Sequence, residues 1–150
     1  MSNVKDLYRQ ILRGLAAGEE RNFAKAFVKP QLRVMQPDLL PSRVYTTRSP
    51  KFQRNYGGLY KPENDSVILG VQHMMQDQPT LPAHEFTHSW QKKTGALGPA
   101  GKGQKNYENE LDAWILEDLI SRRVFGDPMG VIEDQPDQIR IELLRKLLKP

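Results

Sequence analysis

Residues 80–95 read Thr80-Leu81-Pro82-Ala83-His84-Glu85-Phe86-Thr87-His88-Ser89-Trp90-Gln91-Lys92-Lys93-Thr94-Gly95. The stretch carries its own start and stop signals. Thr80 suits a helix cap, Pro82 suits a first turn that has no use for its missing N–H, and Gly95 suits a left-handed end. A helix over 80–94 is expected. On it His84 and His88 stand one turn apart on a shared face. Two imidazoles so placed can reach one metal ion, and Glu85 projects to the side, where it can accept a proton from a metal-bound water. A bare histidine pair would more often pack or face solvent. The intervening acid and the flanking elements favour the metal reading here.

Upstream, Arg43-Val44-Tyr45-Thr46-Thr47 is rich in β-branched and aromatic residues and reads as a strand. Gly57-Gly58-Leu59-Tyr60 and Ser66-Val67-Ile68-Leu69-Gly70 flank Lys61-Pro62-Glu63-Asn64-Asp65, which is turn chemistry, so the pair reads as a hairpin. Further back, Val4, Leu7, Tyr8, Ile11, Leu12 and Leu15 recur at helical steps, and the pattern resumes at Phe23, Ala24, Phe27 and Val28. A helical region over 3–29 is expected, ended or interrupted at Gly18. Pro30, Pro37 and Pro41 then mark an irregular region.

Downstream, the glycine-rich residues 95–106 are expected to form a loop. A helix should follow over 107–124, with Leu111, Trp114, Ile115 and Leu119 on one face, ended by Gly126-Asp127-Pro128. A last helix over 135–149 presents Ile139, Leu143, Leu144 and Leu147. No internal repeat and no long linker interrupts the chain. The fold class expected is α+β: a small antiparallel hairpin or sheet packed on the 80–94 helix, with flanking helices, all within one domain spanning 1–150.

The chain has 150 residues, 38% of them hydrophobic and 27% charged, a balance that supports a packed core. It has no cysteine, so disulfides and thiolate metal sites are excluded and any metal falls to His, Asp or Glu. The net charge of +4 is spread along the sequence, with only small pairs such as Arg122-Arg123 and Arg145-Lys146, and no nucleic-acid partner is expected. The start, MSNVKDLYRQ, has no long apolar stretch, and no window is apolar enough to span a bilayer. A cytoplasmic location without a membrane partner is expected, and export without a cleaved signal stays open.

The third ligand is expected from an acid on the 107–124 helix. Glu108 and Asp112 are four apart and share a face, whereas Glu110 lies nearly opposite on the helical wheel. Glu108 is therefore expected to bind the metal in preference to Glu110, and Asp112 to hydrogen-bond the far nitrogen of a ligating histidine. Two histidines and one carboxylate would leave a fourth zinc position open to water, the mark of a catalytic site.

The motif His84-Glu85-Phe86-Thr87-His88, with Glu108-Asn109-Glu110-Leu111-Asp112 after a gap of 19 residues, resembles the gluzincin metallopeptidases, whose pattern is HExxH followed by ExxxD. The succession of strand, glycine-containing hairpin and HEFTHSWQ is similar to a small metallopeptidase-like domain of bacterial proteins linked to contractile injection and type VI secretion systems. The resemblance covers roughly residues 43–125. It implies zinc held by His84, His88 and Glu108, with Glu85 as general base. It also implies an edge strand above the zinc that holds the substrate backbone by strand addition, for which Gly57, Gly58, Leu59 and Tyr60 are candidates. Leu111 departs from that group, where the second acidic motif commonly reads ExEAD. His73 and Tyr107 have the right chemistry to stabilise a transition state.

The expectation that follows is a zinc-dependent hydrolase, most simply a peptidase acting on a peptide or protein. The alternative is a zinc-binding structural or interaction module of a secretion- or phage-associated system without turnover. A secreted effector acting on cell-wall peptides ranks lower, because no wall-binding element is recognisable. Glu85 counts against a purely structural role, which has no need of a general base.

Overall fold

The computed structural model describes residues 3–96, 103–126 and 137–150. It is a small α+β domain with one mixed three-stranded sheet. Among the described residues no helix is long and apolar enough to cross a membrane.

Helix α1 (Val4–Arg13) starts where the Asn3 side chain accepts from the Asp6 amide at 2.9 Å, and it drives Leu7 and Ile11 into the core. The expected helical region over 3–29 breaks earlier than Gly18. Gly14 caps α1, and a Cβ there would collide with the Thr46 hydroxyl, so the helix end and the sheet touch at a residue without a side chain. Gly18 instead opens α2 (Glu19–Phe23), with φ of 79°. A π-turn over Ala24–Val28 leads into α3 (Lys29–Val34). Pro30, expected in an irregular stretch, sits in the first turn of α3, where its ring is tolerated.

Strand β1 (Arg43–Thr47), the short helix α4 (Pro50–Asn55), β2 (Gly58–Lys61) and β3 (Ser66–Gly70) follow. The hairpin forms as expected: β2 and β3 pair antiparallel, with Tyr60 opposite Val67. Strand β1 joins the other side of β3 in parallel, Val44 beside Val67, so the order is β1-β3-β2 and β3 is central. Its middle position explains why Ser66, Val67, Leu69 and Gly70 are all buried, where a one-faced strand would alternate. The Asp65 carboxylate ties this sheet to what lies around it. It accepts from the Ser42 amide and hydroxyl at 3.0 Å each, from the Tyr60 hydroxyl at 2.8 Å and from the Ser89 hydroxyl at 2.6 Å.

After α5 (Val71–Gln76), helix α6 (Leu81–Thr94) runs across the sheet and ends at Gly95, which adopts the left-handed conformation at φ 79°. Every residue from Leu81 to Gln91 is buried. A helix enclosed on all sides loses the apolar stripe of a surface helix, and this one encloses polar groups as well. Helix α7 (Gly103–Phe125) packs along it and also meets α3 and α8 (Gln138–Arg145). Of the loop expected over 95–106, residues 103–106 belong to α7 and 97–102 lie outside the described residues. Gly126, at φ 83°, follows α7 as expected, while Asp127, Pro128 and the expected helical start at 135–136 lie outside the described residues.

The chain closes on itself through a bridge between Met35 and Leu148, with the Gln36 amide donating to the Leu147 carbonyl at 2.8 Å. One continuous apolar core runs from Leu7 to Leu148. Its effect on the site is to clamp α6 between the sheet and α7.

Candidate metal centre

The buried polar residues of α6 include His84, Glu85, His88 and Gln91. Buried polar groups persist only where they find partners, and α7 supplies most of them. The His84 Nε2 lies 3.0 Å from one Glu110 carboxylate oxygen, and the His88 Nε2 lies 3.0 Å from the other. On α7 Glu110, Ala113 and Glu117 recur at three- and four-residue steps, a single face turned toward α6. The Glu117 carboxylate accepts from His84 Nδ1 at 2.8 Å and is itself held by the Gln78 amide at 2.5 Å and the Thr80 hydroxyl at 2.8 Å. His88 Nδ1 meets the Gln91 side-chain oxygen at 2.7 Å.

These partners decide which nitrogen of each ring carries the proton. Glu117 only accepts, so His84 Nδ1 must donate. The Gln91 amide nitrogen faces two acceptors, the Asn109 carbonyl at 2.9 Å and the Asp112 carboxylate at 3.2 Å, which turns its oxygen to His88 and makes that Nδ1 a donor too. In the neutral rings both Nε2 atoms are then bare lone pairs, aimed at the Glu110 carboxylate. Three acceptors facing one another require something positive between them, either protons or a cation. Metal-bound histidines are oriented in this way, the other ring nitrogen donating to a carboxylate or carbonyl.

One ligand atom from each of His84, Glu85 and His88 lies within 4.8 Å of the others, a spacing that could hold a metal ion. Among the acids, Glu110 rather than Glu85 reaches both Nε2 atoms. The donor set of two nitrogens and one carboxylate suits zinc. Without a metal, protons take over. Burial opposes charge on His84 and His88, but the hydrogen bonds to Glu110, joined at His84 by Glu117, outweigh it and hold both rings above the ordinary histidine value. Glu110 is driven well below the ordinary carboxylate range: burial acts against this, and its hydrogen bonds to the two histidines prevail. Glu85 moves the other way, up, because burial dominates its surroundings.

The site opens into a cleft of about 360 Å³. Tyr56, Gly58, Leu59, Tyr60 and Pro62 form its sheet side, and His84, Glu85, His88 and Glu110 its floor. A larger groove of about 750 Å³ between α1 and β1 holds no histidine. Strand β2 is an edge of the sheet, so one side of its backbone is not paired within the sheet. Gly58 rests on the floor: a Cβ there would lie 2.9 Å from Leu81 and 3.1 Å from the Glu85 Cγ.

No family model, curated protein or solved structure matches the chain.

The sequence expectations meet this geometry unevenly. His84, Glu85 and His88 come together as expected. Glu108 does not join them: it is exposed on α7, two residues and more than half a turn from Glu110, which takes the place assigned to it. Asp112 is buried, but it touches Gln91 and Arg140 rather than a histidine. The jobs assigned to Asp112 fall to Glu117 and Gln91. His73 packs its ring against Gly57 and bonds Gln78 at 3.0 Å, so it reaches the centre only through Gln78 and Glu117. Tyr107 lies exposed in the second turn of α7. Of the substrate-strand candidates, Gly57 lies against His73 and Gly58 against Leu81 and Glu85, while Gly58, Leu59 and Tyr60 border the cleft. Sequence reasoning missed Glu117, Gln78, Gln91 and the cleft residue Tyr56. The recurrence of Glu110, Ala113 and Glu117 was the signal for the first of these.

Proposed function

We propose that the chain is a zinc-dependent hydrolase, most simply a peptidase, with His84, His88 and Glu110 as ligands and Glu85 as general base. The observation that carries this reading is the convergence of the two Nε2 atoms on the Glu110 carboxylate, with each Nδ1 set against an acceptor oxygen. It differs from the sequence expectation only in the third ligand. Bound zinc would supply a Lewis acid for the scissile carbonyl and lower the pKa of its water.

The chain's own groups do the rest. Glu85 follows the first ligand directly and lies under β2, beside the cleft floor. Its raised affinity for a proton suits a group that must accept one from water and later give it to the leaving amine. Burial of His84, Glu85 and His88 limits how far bulk water competes for their contacts. The unpaired side of β2 offers main-chain hydrogen bonds to an extended substrate, with Leu59 and Tyr56 beside it.

The test is a matched pair, wild type and Glu85→Gln, assayed on a mixed peptide library with zinc content measured in both. The expected result is full zinc loading in both and at least about a 100-fold loss of hydrolysis in the variant. Turnover that persists in zinc-loaded Glu85→Gln contradicts the mechanism. Inactivity of both forms would leave a zinc-binding module without peptidase turnover.

A further inference from the structure

Arg140 lies on α8, outside the helix pair that forms the centre. It nevertheless connects to a ligand through three consecutive contacts. Its Nε donates to Asp112 Oδ1 at 2.7 Å and its Nη2 donates to Asp112 Oδ2. Asp112 Oδ2 accepts from the Gln91 amide, and the Gln91 oxygen accepts from His88 Nδ1. Asp112 is only 2% exposed, and the guanidinium also lies over the Trp90 ring, 5.9 Å from its centre.

We infer that Arg140 is a positioning residue for the metal centre: it fixes Asp112, Asp112 fixes the Gln91 amide, and the amide fixes the proton of His88 on Nδ1. The inference rests on the metal reading above for its purpose but not for its geometry. A Gln side chain has two faces that differ by a half-turn, and its neighbours choose between them. With the amide oxygen toward His88, that ring must donate from Nδ1 and its Nε2 is free to bind. With the amide nitrogen toward His88, Nδ1 must accept, the proton moves to Nε2, and the ring can no longer serve as a ligand there. The Asn109 carbonyl favours the first state through one hydrogen bond, and Asp112 adds a charged acceptor. Asp112 can occupy its buried position as a carboxylate because the fork of Arg140 satisfies both its oxygens. A lysine brings the charge without the two-pronged geometry.

The chain thus uses its last helix to set the proton position on a ring supplied by its central one. His84 needs no such relay, since Glu117 contacts it directly.

The experiment compares wild type with Arg140→Met and Arg140→Lys in the full-length chain. Ring-nitrogen chemical shifts of isotopically labelled histidine are read in metal-free protein at about pH 9.5 in a Glu110→Ala background, so that no Glu110 carboxylate draws the proton to Nε2. Zinc affinity is read by chelator competition. The expected result has three parts. In that background His88 carries its proton on Nδ1 when Arg140 is present, Arg140→Met shifts it toward the Nε2–H tautomer while His84 keeps its own, and with Glu110 in place Arg140→Met weakens zinc about tenfold, the lower end for an outer partner. Arg140→Lys falls between the two and guards against a poorly folding methionine variant. An unchanged His88 tautomer and unchanged zinc affinity in the folded variants, with only a lower melting temperature, overturn the inference and make Arg140 a packing residue. A tautomer that responds to Arg140 in a protein that binds no zinc supports the positioning role and removes the metal reading instead.

Discussion

The two histidines share a helix, a burial depth and a partner in Glu110, yet they are braced by different means. His84 leans on a carboxylate, Glu117, which Gln78 and Thr80 hold in place. His88 leans on a neutral amide, Gln91, with the charged pair of Asp112 and Arg140 one step further out. An adjacent carboxylate makes a ring a stronger donor to a metal than an amide does. The pair therefore divides the work: one ring is tuned by a charge in contact with it, the other by geometry passed along a chain of neutral and charged groups.

The largest effect should come from removing what the two sides share. Glu110→Ala is expected to weaken zinc by at least about 100-fold, the upper end for an outer partner, because it removes a carboxylate that meets both Nε2 atoms. Chelator competition measures it, and a loss smaller than that of any bracing variant would show that Glu110 is not the third ligand. The comparison itself is tested by Glu117→Gln against Gln91→Leu. Outer partners are worth about 10- to 100-fold in affinity; Glu117→Gln should fall toward the upper end and Gln91→Leu toward the lower. The reverse order would mean that the amide, not the charge, is the stronger brace.

A titration sharpens the picture without mutation. Both histidines of the metal-free fold sit above their ordinary value of 6.5, so their contribution to stability is complete below that value and is lost as pH rises through the raised ones. Glu110 sits below its ordinary value of 4.5, so its contribution is present above 4.5 and lost in acid. Metal-free protein should thus be most stable between these limits and soften toward alkaline pH. Zinc needs the rings unprotonated and binds better over that same alkaline range. The gap in melting temperature between zinc-loaded and metal-free protein should widen from about pH 6 to about pH 9. A gap that narrows would show that the two rings are not the ligands.

The smallest effect is expected at Glu108. Glu108→Ala should change zinc affinity by less than about twofold, as for an exposed carboxylate outside the contact shell. It also marks where the sequence stopped being legible. The helix over 80–94 was readable because cap, proline and stop glycine are local signals, and so was the hairpin over 57–70. The third ligand was not, because it depends on which face of α7 meets α6. That helix has neighbours on several sides, α3, α6 and α8, so its apolar residues mark no single buried face. Glu108 and Asp112 do share a face, but it is turned to α8 and Arg140. The parallel pairing of β1 with β3 was hidden for a related reason: it joins segments more than twenty residues apart, with α4 and β2 between them, and no local pattern specifies it.

The enclosure of α6 governs how quickly the centre could change its contents. The turns of α6 that carry His84 and His88 are buried from Leu81 through Gln91, and only its last turn, 92–94, is exposed and free to fray alone. The amides of the buried turns should exchange with solvent only when the whole domain opens. Of the three proposed ligands, the Glu110 side chain is the most accessible, 34% exposed against 11% for His84 and 8% for His88. Traffic would then begin with that one carboxylate swinging away, through the cleft mouth and on a side-chain timescale. The residence time of an ion would be set by α7, and the persistence of the shape around it by α6.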